Sequence, residues 1–233
     1  MYMEWEIGCR MGALVSTSGT DSGDCSSRPC GTITYAISQA SSGDTIDIAA
    51  GTYSEVNITV DKDLMLFRNS ESSTIVEAHA ERGQATGRVF SINSGSTVTI
   101  EYMTIRHGNT TGNGGVIYNG GNLKLTNSTV SDNNSGNDAG GIYNHNGNLK
   151  LTNNTVSDNN SIYRDCGIYN YDGNINLSNS TVSNNLSSYG EGVFIWFNNT
   201  FPVSVMTPLA AGSIITNRAT ICSRELISPV ADE

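Results

Sequence analysis

Three stretches of the chain repeat the same order of apolar and polar residues at the same distance. They open with Gly115-Val116-Ile117-Tyr118-Asn119, Gly141-Ile142-Tyr143-Asn144 and Gly167-Ile168-Tyr169-Asn170. Asn122-Leu123-Lys124-Leu125-Thr126-Asn127, Asn148-Leu149-Lys150-Leu151-Thr152-Asn153 and Asn174-Ile175-Asn176-Leu177-Ser178-Asn179 come next. Each stretch closes on a Thr-Val-Ser unit, at Thr129 to Ser131, Thr155 to Ser157 and Thr181 to Ser183. Leu125, Leu151 and Leu177 are 26 residues apart, as are Val130, Val156 and Val182. Within each unit the alternation has the period of a strand with one buried face. Units this short cannot bury that face alone, so successive coils must stack, at about 4.8 Å per strand. The pattern predicts an all-β fold, a single-stranded parallel β-helix with three short strands per coil.

Stacking sets like residues over like. Leu123, Leu149 and Ile175 form an aliphatic file, and Tyr118, Tyr143 and Tyr169 an aromatic one. Asn127, Asn153 and Asn179 fall at a corner, where side-chain amides satisfy turn backbone groups. A weaker copy precedes, with Ile100 in the place of Leu125 and Ile105 in that of Val130. Further upstream, Ile33, Ala36, Ile37 and Ala40 have helical spacing and predict an N-terminal capping helix. Gly43 to Ile48 reads as a turn and a first strand, Gly51 to Tyr53 as the next corner, and Val56 to Val60, Leu64 to Leu66 and Thr74 to Val76 as the coils that continue it. The solenoid is expected over 21–217, with its cap in 21–42 and its clearest repeats in 88–197. Residues 1–20 and 218–233 read as tails. About seven to eight coils follow from this spacing.

On these residues the chain resembles the right-handed parallel β-helix proteins of the pectate-lyase-like superfamily. Within them it is most similar to bacterial surface and secreted proteins built from GGIYN–GNLTLTNSTVSGN repeats, the polymorphic outer-membrane type. The matching pieces are Thr32 to Ala40, Gly43 to Glu55, Arg88 to Asn93 and the three full repeats. The resemblance implies a right-handed coil, a secreted or cell-surface location, and a segment of a longer solenoid. It does not select an activity, since lyases, hydrolases and adhesins share the fold.

Composition and charge narrow the partners. The chain has 233 residues, 15% charged, with 12 basic against 22 acidic side chains and a net charge of −10. Disorder and a helical bundle both need other compositions. So few basic residues leave no stripe to neutralise phosphates, which argues against nucleic acid. No apolar run reaches the roughly 20 residues of a membrane helix. Glu4 and Glu6 precede Arg10, unlike the basic start of a signal peptide. Of five cysteines, Cys25 and Cys30 are close enough for a small disulfide loop, with free thiols as the alternative. No paired C-x-x-C spacing of a zinc site is present.

Candidate chemistry lies along one edge. By register, His107, Asp132 and Asp158 stack on successive coils beside Arg106. A polysaccharide lyase of this fold needs a Lys or Arg base and carboxylates holding Ca²⁺, and a glycosidase needs clustered carboxylates. Arg106, His107, Asp132 and Asp158 are therefore the catalytic candidates, and Asp132 and Asp158 the Ca²⁺ candidates. Repeated corner chemistry accounts for the same residues. Tyr163, Tyr171 and Tyr189 are expected in the connections between repeats, where aromatic rings can stack on sugars. Thr104, Thr129, Thr155 and Thr181 form a file that an ice- or surface-binding protein would use, and that β-propensity alone also explains. The leading expectation is a monomeric, non-catalytic, adhesin-like or glycan-binding module. A lyase or glycosidase acting on acidic polysaccharide is the alternative.

Overall fold

The computed structural model describes residues 11–68, 73–163, 167–188, 192–197, 214–215 and 219–223. Strand β1 (Met11–Val15) precedes helix α1 (Ile33–Gln39). The first complete turn is β2 (Asp44–Ile48), β3 (Gly51–Ser54) and β4 (Ile58–Val60). The second is β5 (Leu64–Phe67), β6 (Thr74–Glu77) and β7 (Phe90–Ile92). The third, β8 (Thr97–Glu101), β9 (Met103–Arg106), β10 (Asn109–Thr110) and β11 (Ile117–Asn119), has an added short strand. So does the fourth, β12 (Asn122–Thr126), β13 (Thr129–Ser131), β14 (Asn134–Ser135) and β15 (Ile142–His145). The fifth repeats it with β16 (Asn148–Thr152), β17 (Thr155–Ser157), β18 (Asn160–Ser161) and β19 (Ile168–Tyr171). Strands β20 (Asn174–Ser178), β21 (Thr181–Ser183) and β22 (Val193–Phe197) begin a sixth, and β23 (Ile214–Ile215) and β24 (Ala219–Ser223) follow.

The result is an all-β parallel solenoid of about five complete turns, fewer than the repeat spacing predicts. Three sheets are seven strands deep: β1-β2-β5-β8-β12-β16-β20, β3-β6-β9-β13-β17-β21-β23 and β4-β7-β11-β15-β19-β22-β24. A fourth, β10-β14-β18, has three. Two segments read as tails contain strands. Met11–Val15 pairs with β2, and Ala219–Ser223 pairs with β22.

Alternation carries the core. Leu123, Leu125, Leu149 and Leu151 point inward and are buried, while Lys124 and Lys150 between them are exposed. Each repeat opens on glycine because the coils touch there. A Cβ on Gly141 would lie 2.4 Å from the Gly167 carbonyl oxygen, and one on Gly167 would lie 2.6 Å from that of Gly192. Helix α1 buries Ile33, Ala36 and Ile37 against β1, β2 and β4. Its ends are tied by charge of the sign the helix dipole favours. The Glu55 carboxylate accepts from Ile33 N and Thr34 N at 2.7 and 2.9 Å, and Lys62 Nζ donates to the Ile37 and Ala40 carbonyls. Just before the helix, Cys25 and Cys30 are joined by a disulfide and buried.

Polar residues inside the coil are closed into ladders. Asn119 Nδ2 donates to Asn144 Oδ1 at 2.6 Å, and Asn144 Nδ2 donates to Asn170 Oδ1. All three are fully buried. Asn133, Asn159 and Asn185 form a second buried ladder. Asn122, Asn148 and Asn174 form one exposed to solvent. At the corner the sequence singled out, Asn153 Nδ2 donates to Asn127 Oδ1 at 3.1 Å. A truncated rung inside the coil leaves donors and acceptors with no water to replace it. Asn144→Ala is expected to destabilise the protein by about 2 to 3 kcal/mol, and Asn148→Ala by less than about 1 kcal/mol. Urea unfolding followed by circular dichroism measures both.

Candidate functional site

The corner file assembles as its register requires. Arg106 pairs with Ser131 and Ser131 with Ser157, which puts His107, Asp132 and Asp158 at one corner of successive turns. Their φ angles are 57°, 60° and 57°, and Asn184 continues the file at 54°. This left-handed region is open to Asn, Asp and His more than to most residues, so the backbone itself selects these side chains. The four candidates also have internal contacts. Arg106 Nη2 lies 2.8 Å from Glu77 Oε2 and its Nε donates to the same atom at 2.9 Å. Glu77 is only 3% exposed. His107 Nδ1 is 2.9 Å from the His79 carbonyl oxygen, which can only accept, so Nδ1 carries a proton. Arg82 Nη1 is 3.3 Å from Asp132 Oδ1, and Nη2 donates to the Asp158 carbonyl at 2.8 Å. Asp132 thus faces a guanidinium. Among the described residues no three His, Cys, Asp or Glu side chains converge as metal ligands.

The aromatic candidates separate. Tyr163 follows β18 and is 56% exposed. Tyr171 is not in a connection: it ends β19, half-buried, with its ring 5.3 Å from that of His145 and tilted by 12°. It belongs to a strand because Tyr171 pairs with His145 in register. Tyr189 lies outside the described residues. The aromatic file continues past its three tyrosines, with ring spacings of 5.5 Å from Tyr118 to Tyr143, 5.2 Å to Tyr169 and 4.8 Å to Phe194. Arg88 covers the Tyr118 ring at 5.1 Å. Burial raises the pKa of the Tyr118 hydroxyl, pushes that of Tyr143 well above the ordinary range, and lowers that of the Arg88 guanidinium. Thr104, Thr129, Thr155 and Thr181 are in register and half-buried.

A groove of about 630 Å³ runs along the fourth sheet. Its floor is Asn109, Asn134 and Asn160, in register on β10, β14 and β18, with Leu186 bridged to Asn160 as the next step. Gly83, Ala85 and Thr86 make the wall, and Thr110, Thr111 and Ile162 also line it. The wall exists because one turn is long. Leu64 pairs with Val98, 34 residues on, whereas Val98 to Leu123 is 25 and Leu123 to Leu149 is 26. Much of the extra length is the strandless segment 78–89. Asn109 holds it, Nδ2 donating to the Gly83 and Ala85 carbonyls at 3.0 and 2.9 Å. Sequence reading missed this groove and the Glu77–Arg106 pair. The break in the 25–26-residue period was the available signal. Compared with protein-family models, curated proteins and solved structures, the chain matches none.

Removing Arg106 takes the guanidinium from a buried Glu77 that keeps the Ser54 hydroxyl at 3.2 Å and the His107 ring at 3.7 Å. Arg106→Ala should cost about 3 kcal/mol of stability, against less than about 1 kcal/mol for Arg82→Ala, whose ion pair is exposed. Chemical denaturation of the two variants tests the contrast. A tyrosine whose folded pKa is raised stabilises fully below its unfolded value, about 10, and loses that contribution as pH rises. The unfolding temperature should therefore fall steeply above about pH 10, and less steeply in Tyr143→Phe. Thermal scans from neutral to alkaline pH measure this.

Proposed function

We propose that the protein is a non-catalytic glycan-binding module, secreted or displayed at the cell surface and built like the right-handed β-helices of the pectate-lyase-like superfamily. The groove on the fourth sheet carries this reading. It offers a row of amides and hydroxyls at regular spacing, with exposed aliphatic surface at one end. Ile162 is 60% exposed and Leu186 is 63% exposed, both beside Asn160. Isolated exposed apolar residues are ordinary, but side chains adjoining a polar groove match a sugar, which has an apolar ring face and a polar rim. Tyr163 follows Ile162 at the margin and adds an aromatic face.

The lyase reading draws less support. Its base candidate, Arg106, is neutralised by Glu77, and its acidic candidate Asp132 by Arg82. The test is a panel of immobilised neutral and acidic polysaccharides probed with the whole protein. At least one is expected to retain it, and the double variant Ile162→Ser with Leu186→Ser should weaken retention roughly tenfold. Failure to bind any polysaccharide on the panel would remove the proposal. So would unsaturated product formed from a uronate with Ca²⁺ and abolished by Asp158→Ala.

A further inference from the structure

In the buried ladders, and in the exposed row of Asn122, Asn148 and Asn174, in-register asparagines donate to one another. The groove floor does not follow this rule. Asn109 has turned to hold the wall, so Asn134 and Asn160 form no amide ladder with it. Both are half-buried, and neither side-chain amide has a hydrogen-bond partner among the described residues. Both line the groove, along with Gly83 and Ala85 of the wall. Each amide presents one acceptor and two donor hydrogens. That is the complement of a sugar's paired hydroxyls, each of which both donates and accepts.

Charge restricts the ligand further. None of the residues lining the groove is ionisable. The nearest cation in the wall's chain, Arg82, is engaged by Asp132 and the Asp158 carbonyl. A polyuronate would bring one carboxylate per ring to a floor with no cation, in a chain of net charge −10. Geometry restricts the shape. Asn134, Asn160 and Leu186 succeed one another at the strand spacing of about 4.8 Å, close to the length of one pyranose in an extended 1,4-linked chain.

We propose that the groove binds an extended, uncharged glycan chain laid parallel to the solenoid axis, one ring per coil. Asn134 and Asn160 read its hydroxyls, and Leu186 and Ile162 support an apolar ring face. This rests on the glycan-binding reading above and specifies its ligand class.

The test is titration calorimetry of the full chain with neutral β-1,4-linked glucan, mannan and xylan oligosaccharides, and with oligogalacturonate of matched length. At least one neutral series should bind, with affinity rising to about four rings and then levelling, and oligogalacturonate should bind roughly tenfold weaker or not at all. Asn134→Asp and Asn160→Ala should each weaken the neutral ligand about tenfold, and because those amides hold no internal bond the unfolding temperature should change little. Tighter binding of oligogalacturonate overturns the ligand class while leaving glycan binding intact. Unchanged affinity in both Asn variants overturns the site. Binding of no oligosaccharide here or polysaccharide on the panel defeats both proposals together.

Discussion

Everything in this molecule depends on like residues lying above like. Parallel strands in register bring each side chain to within about 4.8 Å of its counterpart one coil away. For Leu123 over Leu149 that spacing makes a continuous apolar file. Lys124 over Lys150 is tolerated on the solvent face, where Glu101 lies 3.4 Å from Lys124. Inside the coil the same rule would be ruinous for a polar residue with only donors or only acceptors. Asparagine escapes it because one amide both gives and takes a hydrogen bond. The buried rows at Asn119, Asn144 and Asn170 turn the constraint into cohesion, and a slip of one residue would break every rung at once.

The corners apply a second selection. His107, Asp132, Asp158 and Asn184 share a left-handed backbone position, and Asn127, Asn153 and Asn179 share another. What looked like an acidic edge is largely the set of side chains that such a corner admits. Two polar features were not legible from that edge: the buried Glu77 that pairs with Arg106, and the groove between the fourth sheet and the long second turn.

These differences explain what the sequence disclosed. Val130, Val156 and Val182 keep strict register, so sheets and core were readable from spacing alone. Strand β1 was not, because Met11 to Val15 has no copy in the repeats and Gly12 sits against Asp44, where a Cβ would come within 2.6 Å. The short strands β10, β14 and β18 carry two residues each, too few to show a period. The pairing of Glu77 with Arg106 joins β6 to β9 across the long second turn, outside the regular 25–26-residue spacing. Tyr171 was misplaced for a related reason. The strand that holds it is one residue longer than its counterpart β11, which ends at Asn119.

The groove has two sides of different origin. Its floor is made by duplicated units, and its wall by a single aperiodic loop pinned at Asn109. A further copy of the repeat, inserted after β18, would lengthen the floor by one step and leave the wall where it is. Copy number thus acts as a ruler. Recombination between near-identical units can change the reach of this surface in whole-coil increments without redesigning a single contact.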